Sequence, residues 1–123
     1  MRGRRAILAG LGTALGAALM PPRQALAHAR LDRAEPGAGT RGAAPIEVVL
    51  RFTEAVEPRF SSIVVVNGAG TRWEAGPAQI GGDTHTLRVS LKPLPPGDYR
   101  VDWVVVSVDT HRSQGSYGFT VVA

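Results

Sequence analysis

Among the 123 residues there is no cysteine, which excludes disulfide staples, thiolate metal ligands and a lipid-modified cysteine anchor. Methionine is confined to Met1 and Met20, so the chain beyond residue 20 has no sulfur at all. No apolar run reaches the roughly 20 residues needed to span a bilayer. The longest occupies residues 6–20. Acidic residues are missing from residues 1–27, where Arg2, Arg4, Arg5 and Arg23 lie. Without those four, the basic and acidic residues balance, and the formal net charge of +4 belongs to the first segment alone. No basic run remains to bind nucleic acid or an anionic membrane surface.

What is present at the start has the form of a secretory signal: a basic stretch, the apolar run, then Pro21 and Pro22, then Ala25-Leu26-Ala27 as a small-x-small cleavage pattern. Residues 1–27 are therefore expected to be removed between Ala27 and His28. The Arg4-Arg5 pair suits a twin-arginine route but also occurs in ordinary signals, and the route stays open. Residues 28–123 then form one small domain with no membrane anchor.

From residue 28 the hydrophobic period is two. Ile46, Val48, Leu50 and Phe52 alternate with Glu47, Val49, Arg51 and Thr53; Leu87, Val89 and Leu91 alternate with Arg88 and Ser90. Tyr99, Val101, Trp103 and Val105 form a third alternating set, and Tyr117, Phe119 and Val121 a fourth. Residues 63–66 are a continuous β-branched run closed by Asn67-Gly68. A short strand over residues 29–33 and a weak one over residues 71–74 bring the expectation to about seven. Gly/Pro clusters separate them, and no segment keeps a helical period. The pattern predicts an all-β, seven-stranded, immunoglobulin-like Greek-key β-sandwich. Leu94-Pro95-Pro96-Gly97-Asp98-Tyr99 has the form of a tyrosine corner, and Trp103 is expected in the core, with Trp73 a second anchor or a surface aromatic.

Chemistry centres on three histidines, His28, His85 and His111. After cleavage His28 would carry a free α-amine as well as its imidazole, and the two can chelate one metal ion where an internal histidine offers one nitrogen. Asp109 and His111 are two residues apart on an extended segment and can face one site. Amine and imidazole nitrogens with a carboxylate nearby suit Cu(II). The same tripeptide recurs as Asp83-Thr84-His85, where a loop-to-strand junction is a sufficient explanation. Spacing alone does not separate the two copies.

A resemblance does. His28-Ala29-Arg30-Leu31, Glu35-Pro36, the segment from Val49 through Phe52-Thr53-Glu54-Ala55-Val56, and the run from Pro96-Gly97-Asp98-Tyr99 through Trp103 and Ser107 to Asp109-Thr110-His111, Gly115 and Phe119 together resemble the CopC family of periplasmic copper-binding proteins. The resemblance covers essentially all of residues 28–123. It implies a β-sandwich holding one Cu(II) per chain with the His28 amine and imidazole and with His111. Asp109 would be a nearby or axial carboxylate, and Glu54 a further oxygen contact in some members; its other reading is an exposed strand-end acid. Thr110 departs from the glycine common between the Asp and His. Without methionine, the Cu(I) site of some members cannot be built. The implied role is copper resistance or homeostasis in the periplasm, as a non-enzymatic monomer serving a separate CopD-like membrane permease. Two other readings stay open: a copper-dependent, monooxygenase-like enzyme, and a metal-free immunoglobulin-like interaction module.

Overall fold

A computed structural model describes residues 29–123; residues 1–27, expected above to be a signal segment, and His28 lie outside the described residues. Eight strands follow in order: β1 (Leu31–Glu35), β2 (Arg41–Gly42), β3 (Glu47–Phe52), β4 (Ser62–Asn67), β5 (Gln79–Gly81), β6 (Asp83–Ser90), β7 (Gly97–Val106) and β8 (Arg112–Val121). A 3-10 turn, Pro58–Phe60, precedes β4. One sheet has the order β1-β3-β6-β5 and the other β2-β8-β7-β4. All pairings are antiparallel except that of β2 with β8. Setting the two-residue β2 aside, the strands divide four and three in the immunoglobulin-like Greek-key order.

Alternation decides which side chains meet between the sheets. Val48, Leu50 and Phe52 of β3, Leu87 and Val89 of β6, and Val101, Trp103 and Val105 of β7 are all buried. Each such aliphatic or aromatic side chain contributes about 1.5–3 kcal/mol, an upper figure because unfolded chains are partly collapsed. Phe52 meets the indole of Trp103 edge-on at 5.2 Å between centroids. Tyr99 stacks on Phe119 at 5.5 Å, and its hydroxyl donates to the Pro95 carbonyl at 2.6 Å, completing the tyrosine corner. Trp73 is half-buried and stands edge-on to Tyr99, which makes it an anchor.

Three local expectations change. Residues 71–74 form no strand, only isolated bridges, Val66 with Arg72 and Glu74 with Leu91. Trp73 N–H does donate to Val65 O at 2.8 Å. The Val65 N–H, however, is taken by the Glu74 side chain at 2.9 Å, so a carboxylate replaces the carbonyl a true strand would offer. The first strand is Leu31–Glu35 rather than residues 29–33. The short strands β2 and β5 were not anticipated, because Arg41–Gly42 and Gln79–Gly81 carry no apolar alternation.

Candidate metal centre

The hairpin that joins β7 to β8 carries Asp109 and His111. Val106 and Arg112 are the last paired residues, leaving residues 107–111 as the loop. Its ends are pinned by Ser107 N–H to His111 O at 2.9 Å and Thr110 N–H to Ser107 O at 2.8 Å. Closing so tight a loop forces Thr110 to φ 73°, the left-handed region that a β-branched residue disfavours and a glycine adopts without strain.

Within this loop the Nδ1 of His111 lies 3.2 Å from Asp109 Oδ1; both side chains are partly open to solvent, although the Nδ1 atom itself is shielded. Two donors each roughly 2.0–2.2 Å from one ion and at right angles to each other stand about 3 Å apart. The pair therefore fits two neighbouring ligands of a single tetragonal ion. The Ser107 hydroxyl donates to Asp109 Oδ1, and that bond, followed by the contact with His111, holds the carboxyl below its ordinary pKa. Asp109 is thus an anion over the whole neutral range.

Backbone bonds tie this loop to the other predicted positions. Val108 N–H donates to Ala55 O at 3.0 Å, and Val56 bridges Ser107. Glu54, immediately before Ala55, is exposed. Thr53 N–H donates to Arg30 O at 2.9 Å while Arg30 N–H donates to Thr53 Oγ1 at 3.0 Å. Ala29 is fully buried. The chain that follows His28 is therefore fastened next to Glu54, at the end of the sandwich where the loop emerges. Among the described residues no group of three or more His, Asp or Glu side chains converges to hold a metal. The loop supplies two donors, and His28 is outside those residues.

The second tripeptide lies nearby, since Val56 N–H donates to Thr84 O at 2.9 Å, but its acid is differently employed. Asp83 Oδ1 accepts from His85 N–H and from Thr86 Oγ1, each at 2.9 Å, and Oδ2 accepts from Arg51 at 3.0 Å. The bonds from Thr86 and His85 hold the Asp83 carboxyl below its usual range. Asp83 shapes the entry of β6 and pairs with Arg51. One role escaped the sequence reading, that of Ser107. Ser107 is 1% exposed, and its hydroxyl bonds both to Asp109 and to the His111 backbone. The available signal was parity: 107 continues the inward series of Tyr99, Val101, Trp103 and Val105, so a hydroxyl there had to find partners inside the loop.

Comparison with known proteins agrees with the fold. The CopC domain model matches residues 31–122. The copper resistance protein C of Pseudomonas syringae pv. tomato is 35% identical over 116 residues, covering 89% of this chain and 92% of its own. The crystal structure of CopC from Methylosinus trichosporium OB3b superposes with a TM-score of 0.71 at 35% identity, covering 76% of this chain and 93% of that one. PcoC, a methionine-rich copper resistance protein from Escherichia coli, superposes with a TM-score of 0.70 at 35% identity, covering 78% of this chain and all of that one. Those of these relatives whose role is named are copper resistance proteins rather than enzymes, and the family match spans the whole sandwich. The chain belongs to the CopC family of copper resistance proteins.

Proposed function

We propose that the processed chain is a periplasmic carrier that holds one Cu(II) with the His28 amine and imidazole and with His111. Asp109 stands beside the ion and Glu54 is available as a further oxygen. The observation that carries this reading is the Asp109–His111 pair, whose 3.2 Å separation suits neighbouring ligands of one ion. It sits on a loop bonded to the same Ala55 segment that adjoins the Arg30–Thr53 fastening. Copper here is cargo. It would be passed to a membrane partner, a CopD-like permease on a separate chain, with the carrier acting as a monomer.

The protein's own part is to present nitrogen donors at an exposed end while keeping the scaffold rigid behind them. Asp109, already ionised at neutral pH, adds negative charge where a cation arrives and keeps the imidazole close by. Unlike the methionine-rich PcoC, this chain has no sulfur beyond residue 20, so its donor set favours Cu(II) over Cu(I).

The test is Cu(II) titration of the exported protein after mass mapping of its first residue. A start at His28, one equivalent of tight Cu(II), loss of binding by orders of magnitude in His111→Ala and near-normal binding in His85→Ala are expected. A different start, or His85→Ala as the more damaging change, removes the proposed ligand set.

A further inference from the structure

We infer that Ser107 is a positioning residue for copper capture, holding Asp109 and His111 in one arrangement before any ion arrives; this rests on the copper reading above. Ser107 is buried at 1% exposure in a series otherwise made of apolar side chains, so its hydroxyl has no water to turn to. Its Oγ lies against Asp109 Oδ1, and 3.2 Å from both the N–H and the carbonyl of His111. A hydroxyl has one hydrogen to give and lone pairs to receive. The charged Asp109 oxygen, which is the nearer acceptor, takes that hydrogen. The oxygen's lone pair in turn receives the His111 N–H.

One buried atom thus fixes the carboxylate of one donor residue and the backbone of the other. Asp109 reaches His111 through its side chain and Ser107 through the same Oδ1. That oxygen therefore cannot swing away from the imidazole without abandoning a charge-assisted bond. The Val56 bridge holds Ser107 itself in place from the opposite strand connection. The left-handed Thr110 between the two donors opposes the closed loop, so something must hold it shut, and the Ser107 bonds do so.

A merely structural role for Ser107 and a positioning role are separated by pairing Ser107→Ala with Tyr99→Phe. The latter loses the corner bond to Pro95 at the far end of β7 and so weakens the fold without touching the loop. Cu(II) affinity by chelator competition, the Cu(II) electron paramagnetic resonance spectrum, thermal unfolding and amide hydrogen exchange of the apoprotein are measured on both and on wild type. Ser107→Ala should bind Cu(II) about 10–100-fold more weakly, as removal of outer partners of metal ligands does. Its spectrum should change, and the His111 amide should exchange faster. Tyr99→Phe should lose stability yet keep the wild-type affinity and spectrum. Ser107→Ala within twofold of wild-type affinity with an unchanged spectrum overturns the inference, whatever its melting temperature. Should wild type itself fail to bind Cu(II), the copper reading falls. Exchange in the apoprotein then decides Ser107 alone: an unchanged His111 rate overturns the holding role and a raised one supports it.

Discussion

Gly115→Ala should destabilise the domain, against the usual benefit of removing a glycine from a strand. Gly115 faces Trp103 across the β7–β8 ladder. A Cβ built on it would lie 2.5 Å from Trp103 Cζ2, 2.8 Å from Cε2 and 3.1 Å from Nε1, where ordinary contact begins at 3.4 Å. The indole would have to retreat by about 0.9 Å. It has little room, being 8% exposed and held edge-on by Phe52. Overfilling a packed site costs about 1–3 kcal/mol, whereas Gly→Ala at a compatible backbone returns only about 0.4–1 kcal/mol through the unfolded chain. The net loss should be about 1–2 kcal/mol, or roughly 5–15 °C in Tm for a domain of this size. Urea and thermal unfolding followed by tryptophan fluorescence would measure it. The control is Gly42→Ala, where a Cβ meets nothing within 4 Å and φ is not positive, so stability should hold or rise slightly. A Gly115→Ala protein within about 0.5 kcal/mol of wild type, well under the expected overpacking cost, would refute the reasoning.

Three further outcomes follow from particular groups. Burial pushes the Glu74 carboxyl pKa up, but the Val65 amide and the Arg72 guanidinium outweigh it and leave it below its ordinary value. Its stabilising contribution is therefore complete above about pH 4.5 and lost as pH falls through the lower folded value. Glu74→Gln should cost about 1 kcal/mol at neutral pH, a figure reduced because Arg72 is largely exposed, and the difference from wild type in urea unfolding should vanish in acid; a constant gap down to pH 2 contradicts it. Thr110→Gly exchanges left-handed strain of about 1–2 kcal/mol for a smaller gain in unfolded-chain freedom. Its Tm should stay level or rise, and a loss above about 1 kcal/mol would show that the threonine is held by more than the turn. The exported protein should hold Cu(II) against a Cu(II) chelator but release copper to a Cu(I) chelator under reducing conditions; tighter retention of Cu(I) would end the Cu(II)-carrier reading.

How much of this was legible in the sequence depends on the range of the interaction involved. Alternation along residues 48–52, 87–91 and 99–105 marked three core strands, because side-chain parity is local and burial rewards it, although Ile46, at the start of the first set, lies exposed outside its strand. The tyrosine corner was readable for the same reason, since donor and acceptor lie four residues apart. The absence of sulfur beyond residue 20 excluded a soft metal site by composition alone. Asp109 and His111 were recognisable as a pair on one face, although two identical tripeptides could be told apart only through resemblance to a family.

Tertiary structure decided the remainder, because each outcome depends on groups distant in the chain. Whether residues 71–74 became a strand turned on a Glu74 carboxylate reaching the Val65 amide. Asp83 was committed to β6 and to Arg51, 32 residues away, and no spacing rule could say so. The junction of Arg30 with Thr53, and of Ala55 with Val108, brings three separate segments to one end of the sandwich. Ser107 became the buried hub of the loop only once the Val56 bridge and the two sheets enclosed it. Composition and parity determined which atoms were available and which way they faced; closure of one sheet on the other determined which of them met.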